Sequence, residues 1–353
     1  MKRKTCDEEA PKKRAVYTLP SPRYERERYV VPASAAPEEV RRMLAHHGVA
    51  VIPNAISEEA AERALTGLWA TLEATFPDFK RSSPSTWRAL RDNGAKHGML
   101  LQTHGLGWSQ PVVDVRQDPQ LVAHFAALWS VAPEALASSA DGLSVYLNTP
   151  DSKGGWHRPG AGDWLHWDRA PDDETPSIQG FVNLLPTQAH GAALQVLTKS
   201  HRQQAAFAAR FPHAQRTRFY LLDGQAEASF FLDAQCRHVC IAAAPRDLVL
   251  WDSRTIHCGR AASRAACAYG ALQRVVIYTS MQPRAWLTED NKVRKRRAHA
   301  QLRSTSHNAA VGVELFPVYP RVRCAEDEAR KQRSRPIARP PTLTALGRSL
   351  FGV

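Results

Sequence analysis

Asp163-Trp164-Leu165-His166-Trp167-Asp168 reads as a β-strand that carries an imidazole and a carboxylate on one face. Side chains two residues apart leave a strand on the same side, so His166 and Asp168 project together while Leu165 and Trp167 face the other way. Around this segment lie further short apolar or alternating runs: Leu143–Leu147, Trp164–Trp167, Ile178–Leu185, Leu194–Leu197, Leu248–Trp251 and Arg274–Thr279. Gly, Pro, Asp and Asn separate them. Short strands at this spacing predict a jelly-roll barrel or sandwich, the expected form being a cupin-like double-stranded β-helix with a β core over about 142–282.

Upstream the texture is helical, which makes the chain α+β. Pro37-Glu38-Glu39-Val40 opens a predicted helix reaching His47, and Gly48-Val-Ala-Val-Ile-Pro53 is a short apolar strand closed by proline. Ser57-Glu58-Glu59 caps a second helix with an apolar face at Ala60, Ala64, Leu65, Leu68 and Leu72. Pro119 to Trp129 predicts a third, residues 199–235 a polar, partly helical insertion, and Asn291 to Arg303 a basic helix. One ordered domain is therefore expected over 31–320, between a disordered basic tail at 1–30 and a Pro/Arg-rich tail at 321–353.

The formal charge of +13 belongs to the ends of the chain. Residues 1–29 hold nine Lys/Arg against five Asp/Glu, and residues 292–353 hold fourteen against four, leaving the middle close to neutral. Nucleic acid is thus expected to meet the tails, if anything, and not a groove in the core. Lys2-Arg3-Lys4 and Lys12-Lys13-Arg14 fit a bipartite nuclear-import pattern as well as an ordinary charged tail. No stretch approaches a membrane span, and no apolar region follows the first residues. Six scattered cysteines without a CxxC pair read as reduced thiols, so an intracellular protein, cytoplasmic or nuclear, is expected. Cys236-Arg-His238-Val-Cys240 lacks a second ligand pair for zinc.

A histidine and a carboxylate on one strand face need a third ligand to hold a metal. Asp247-Leu-Val-Leu-Trp251-Asp-Ser-Arg-Thr-Ile-His257 offers one after an apolar strand and a polar turn. Two histidines and one carboxylate on one face of an octahedral ion leave three positions open, an arrangement suited to Fe(II) oxygenases. A 2-oxo acid with a distal carboxylate also needs a cation, and Arg274 opens the apolar strand Arg274–Thr279. Its guanidinium can hold a carboxylate with two parallel hydrogen bonds. Asn148 and Gln179, on strands facing the expected site, are candidate cosubstrate contacts.

The segment from about Gly48 to Arg284 resembles the phytanoyl-CoA dioxygenase family of Fe(II)/2-oxoglutarate enzymes. Besides HxD, His257 and Arg274, the resemblance rests on Asp141-Gly142, on Leu248–His257 and on Gly191-Ala-Ala-Leu-Gln-Val-Leu-Thr-Lys-Ser200-His201. In the last of these, Lys199 stands where the family carries glycine. The resemblance implies that His166, Asp168 and His257 are catalytic iron ligands and that Arg274 binds 2-oxoglutarate. O2 would be the cosubstrate, a small organic or lipid-like molecule the substrate, and succinate and CO2 the coproducts. The carboxylate at Asp168 favours hydroxylation, since related halogenases carry a small residue there. An AlkB-like nucleic-acid demethylase shares the ligand pattern but carries a second Arg where this chain has Ser280. A non-catalytic binding protein with basic tails on the same core is the alternative of a different class.

Overall fold

The structure, a computed structural model, describes residues 17–93, 95, 99–147, 164–262, 272–322 and 324–353. Two six-stranded sheets organise it. The first runs, in spatial order, β1 (Arg23–Glu25), β10 (His238–Ile241), β8 (Ala193–Leu197), β12 (Ile256–Arg260), β6 (His166–Trp167) and β9 (Tyr220–Leu221). The second runs β2 (Val49–Ile52), β11 (Leu248–Asp252), β7 (Ile178–Asn183), β13 (Leu272–Tyr278), β5 (Leu143–Leu147) and β3 (Leu100–Leu101). Pairing is antiparallel except between β1 and β10. A separate two-stranded ribbon joins β4 (Leu136–Ser138) to β14 (Met281–Pro283).

From β5 to β8, and again from β10 to β13, successive strands fall in alternate sheets. Their inner faces meet in one apolar cluster, with Leu194, Val196, Val239 and Ile241 from the first sheet and Val49, Val51, Phe181, Val249, Trp251 and Val276 from the second. Full burial of each Val or Ile side chain stabilises by roughly 1.5–3 kcal/mol relative to exposure. Leu165 and Trp167 point away from it, into a cluster with Phe207 and Phe231, as the two-residue period requires.

Helices cover the outer faces. Those before the core are α1 (Pro37–His47), α2 (Glu58–Thr75), α3 (Arg88–Asp92), α4 (Gln110–Arg116) and α5 (Pro119–Trp129). The insertion after β8 carries α6 (Gln204–Arg210) and α7 (Gln225–Asp233), and α8 (Glu289–Ala300), α9 (Ala325–Arg333) and α10 (Ala345–Phe351) follow the core. Ser57 caps α2 by accepting from the Ala60 amide at 3.1 Å. Ala61, Ala64, Leu68, Trp69 and Leu72 form its buried stripe. Gly48 ends α1 at φ +79°, where a Cβ would lie 2.4 Å from Thr255 Oγ1, so glycine is needed for both conformation and space.

The strand and polar turn expected before His257 are present, as β11 and residues 253–255, and His257 itself lies on β12 of the first sheet. Two expectations are corrected. Residues 17–30 are not a loose tail: Arg23–Glu25 pairs with β10 and Tyr29 is fully buried. The segment 321–353 also packs, with Phe351 against Trp108 at 4.9 Å between ring centroids. In both segments a few buried apolar residues sit among arginines, too sparse to show a period in sequence yet sufficient to dock on an existing surface. The basic clusters at 2–4 and 12–14 lie outside the described residues. Among the described residues no helix is long and apolar enough to cross a membrane.

Candidate metal centre

β6 and β12 bring the two histidines together, since His166 and His257 are direct cross-strand partners. Asp168 lies just past the end of β6, its amide donating to the Ser253 carbonyl at 2.9 Å. Asp168 Oδ2 is 3.7 Å from His166 Nε2 and 3.4 Å from His257 Nε2, and one ligand atom from each residue falls within 4.8 Å of the other two.

Each ring is oriented from behind. His166 Nδ1 lies 2.9 Å from the Trp164 carbonyl and His257 Nδ1 lies 2.8 Å from the Thr255 carbonyl. A carbonyl only accepts, so Nδ1 carries the proton in both rings and each Nε2 presents a lone pair. Three acceptor atoms therefore converge without a proton between them, a donor set that fits a divalent cation and little else. The electrostatics agree: burial, then the neighbouring His257, pushes the His166 imidazole toward its neutral form. Burial alone would raise the Asp168 carboxyl, but the imidazoles near it, His166 foremost and then His307, hold it well below the usual carboxylate range.

A second layer fixes the ligands. Gln179 Nε2 donates to Asp168 Oδ2 at 2.7 Å and to Ser253 Oγ at 3.2 Å. The side chain expected to touch a cosubstrate thus grips the carboxylate ligand. Ser200 Oγ accepts from the Ile256 amide at 2.7 Å and so ties β12 down beside His257. To do this Lys199 adopts φ +67°, the left-handed conformation for which glycine is suited. Trp164 stacks on His166 at 4.6 Å and 12°, and the ring of Phe219, 47% exposed, stands 4.9 Å from that of His166.

Arg274 is 2% exposed on the inner face of the second sheet. Its guanidinium lies over the Phe181 ring at 5.1 Å and contacts Met99 Sδ at 3.4 Å, and NH2 has no hydrogen-bond partner. Burial lowers its affinity for a proton, against the opposing influence of Tyr278. Gly259 makes room for it: a Cβ there would lie 3.3 Å from Arg274 NH1 and 2.7 Å from Met99 Sδ. Gly259 is two residues beyond His257 on the same face of β12, roughly 7 Å along the strand. Among the described residues no carboxylate is recorded within hydrogen-bond reach of this buried cation.

Asn148 and the loop histidine His157 lie outside the described residues. His201 is buried and its Nε2 meets the Ala45 carbonyl at 3.1 Å, away from the ligand set. His238 is engaged by the Pro20 carbonyl and Gln195, so Cys236-Arg-His238-Val-Cys240 gathers no metal site. Sequence reasoning assigned no role to Ser200, Ser253, Trp164, Met99 and Gly259, whose parts depend on which strands lie side by side.

No protein-family model matches the chain. Ava biosynthesis cluster protein O of Aspergillus versicolor is 27% identical over 256 residues, covering 69% of this chain and 76% of that one. A crystal structure of a Salmonella typhimurium LT2 protein shares the fold at TM-score 0.58 and 15% identity, over 92% of this chain and 86% of that one. A looser likeness, TM-score 0.47 at 12% identity over 70% of this chain and 84% of that one, links it to the epimerase SnoN in complex with Fe3+, alpha ketoglutarate and nogalamycin RO. That last value falls below the level at which a common fold is implied.

Proposed function

We propose that this chain is an Fe(II)- and 2-oxoglutarate-dependent dioxygenase on a double-stranded β-helix, and that it hydroxylates a small organic substrate. The observation that carries the proposal is the pairing of two opposite groups between the sheets. Three lone-pair donors converge at His166, Asp168 and His257, and the buried guanidinium of Arg274 keeps its NH2 unpartnered on the facing sheet. Fe(II) and a 2-oxo diacid match both at once. The biosynthesis-cluster name of the Aspergillus relative supports a small-molecule substrate.

His166, Asp168 and His257 would hold the metal, with Trp164 and Thr255 fixing the imidazole tautomers and Gln179 aiming the carboxylate. Arg274 would clamp the distal carboxylate of 2-oxoglutarate, its charge strengthened by the apolar surroundings of Phe181 and Val276. Bound Fe(II) supplies the O2 chemistry, coupling decarboxylation of 2-oxoglutarate to succinate and CO2 with oxidation of the substrate. Trp164 and Phe219 flank His166 and limit the approach of water from that side. The test is succinate release from 2-oxoglutarate by purified protein with Fe(II) and O2, compared with Asp168→Ala. Release in wild type that the substitution removes supports the proposal; a folded wild type that makes no succinate refutes it.

A further inference from the structure

Between α8, α10 and the turn Arg284–Trp286 lies a cavity of about 500 Å³ that shares no residue with the metal centre. Five cations line it, Arg284, Lys292, Lys295, Arg296 and Arg348, and no Asp or Glu side chain is among its walls. Three of them, Lys292, Lys295 and Arg296, come from one face of α8 because they are spaced three and four residues apart. Chance surface basicity does not account for the arrangement, because one of these charges points inward. Lys295 is only 6% exposed, and its one hydrogen bond is donated to the Ser138 carbonyl at 2.5 Å.

The neighbouring partners neutralise the group only in part, through Glu289 beside Lys292 and the α-carboxylate of Val353, which also lines the cavity. Arg284 donates to the Leu136 carbonyl, to the Ser349 carbonyl and to Ser349 Oγ, all uncharged, and its buried Nε has no partner. Arg348 donates to the Leu343 carbonyl. Lys292 alone pairs with a carboxylate, the exposed Glu289 at 2.6 Å. Burial, reinforced by Arg284 and Arg116, pushes the Lys295 ammonium down to about 7. An anion among these groups would favour the charged form of Lys295 and relieve their mutual repulsion.

We propose that this cavity is a binding site for a compact, multiply charged anion, a small molecule carrying a diphosphate or similar oligophosphate group. Lys295 would meet it from the floor and Lys292, Arg296 and Arg348 from the rim, with point charges and planar forks suited to phosphate oxygens. The enclosed volume suits a small molecule, whereas a nucleic-acid strand would need a continuous track of charge.

The experiment is calorimetric titration of the full chain with inorganic pyrophosphate at low ionic strength. Wild type is compared with Lys295→Gln, with the exposed pair Lys292→Gln and Arg296→Gln, and with Arg330→Gln and Lys331→Gln on α9 as a charge-matched control. The site predicts one saturable event, weakened about tenfold or more by the exposed pair, lost in Lys295→Gln and unchanged in the α9 control. The exposed pair tests the site even if Lys295→Gln fails to fold. Absence of saturable binding would overturn the proposal. So would equal weakening by the α9 control, which would mark general attraction. Tighter binding of single-stranded RNA than of pyrophosphate, sensitive to the same cavity substitutions, would overturn the small-molecule assignment.

Discussion

The space between the two sheets and the cavity beside α8 are mirror images in charge. Between the sheets, acceptors gather at His166, Asp168 and His257, and a single donor, Arg274, waits apart from them. Beside α8, five basic side chains gather, with Ser349 Oγ and the carboxylate of Glu289 as the side-chain acceptors that meet them. The first cluster is held by a sheet whose backbone carbonyls set each ring, so its geometry survives without an occupant. The second is held by helix ends and long side chains, so its geometry depends more on what binds. Rigid strands suit a reaction centre, and adaptable cationic side chains suit an anion whose position need not be exact.

The largest effect expected is at the ligands. His257→Ala or Asp168→Ala should abolish Fe(II) binding while the fold persists, as read by metal titration alongside far-ultraviolet circular dichroism. Arg274→Met comes next and should act in two directions. Affinity for 2-oxoglutarate should fall by about 2–5 kcal/mol, since a buried charge pair loses one partner. The empty protein should become more stable, because a buried unpaired cation is replaced by an apolar side chain. Thermal unfolding with and without 2-oxoglutarate checks both, and a destabilised empty variant would show that Arg274 is a structural ion instead.

A buried histidine outside both sites gives the third effect. His104 bridges Thr103 and Ser334, and burial lowers its pKa from 6.5 to about 4. The unfolded chain then binds a proton that the native one refuses, so stability is full above pH 6.5 and falls as the pH drops toward 4. At about 1.36 kcal/mol per pH unit the loss reaches about 3 kcal/mol. His104→Gln should flatten that part of the pH–stability curve; an unchanged slope would contradict it. Gln179→Leu should weaken metal affinity by about 10–100-fold, as expected for a residue that holds a ligand from behind. Ser57→Ala should cost only about 1 kcal/mol through the α2 cap, measured by urea unfolding.

The convergence of His166, Asp168 and His257 was legible because these residues obey a local rule. HxD needs only the two-residue period of a strand, and His257 follows an apolar run that had to be a strand. Arg274 was picked out as the head of another strand, which in the structure begins at Leu272. What escaped depends on three-dimensional adjacency. Gln179 was picked out for its strand face, but that it bonds Asp168 follows from how β7 runs beside β11 and Ser253. Gly259 and Met99 matter through the space they leave or fill around Arg274, which no residue pattern records. The cationic cavity escaped for a different reason: its charges are spread from Arg284 to Arg348 and looked like a solvated tail until α10 folded back against α8. The packing of residues 17–30 and 321–353 escaped likewise, because a handful of apolar anchors was outnumbered by charge.

The most direct test of the central claim is anaerobic addition of Fe(II) and 2-oxoglutarate, followed by visible absorbance of the metal-to-ligand charge-transfer band. The account predicts a band in wild type, its loss in His166→Ala, Asp168→Ala and His257→Ala, and a need for much higher 2-oxoglutarate in Arg274→Met. A folded wild type with no band, or a band that persists without His257, would contradict it.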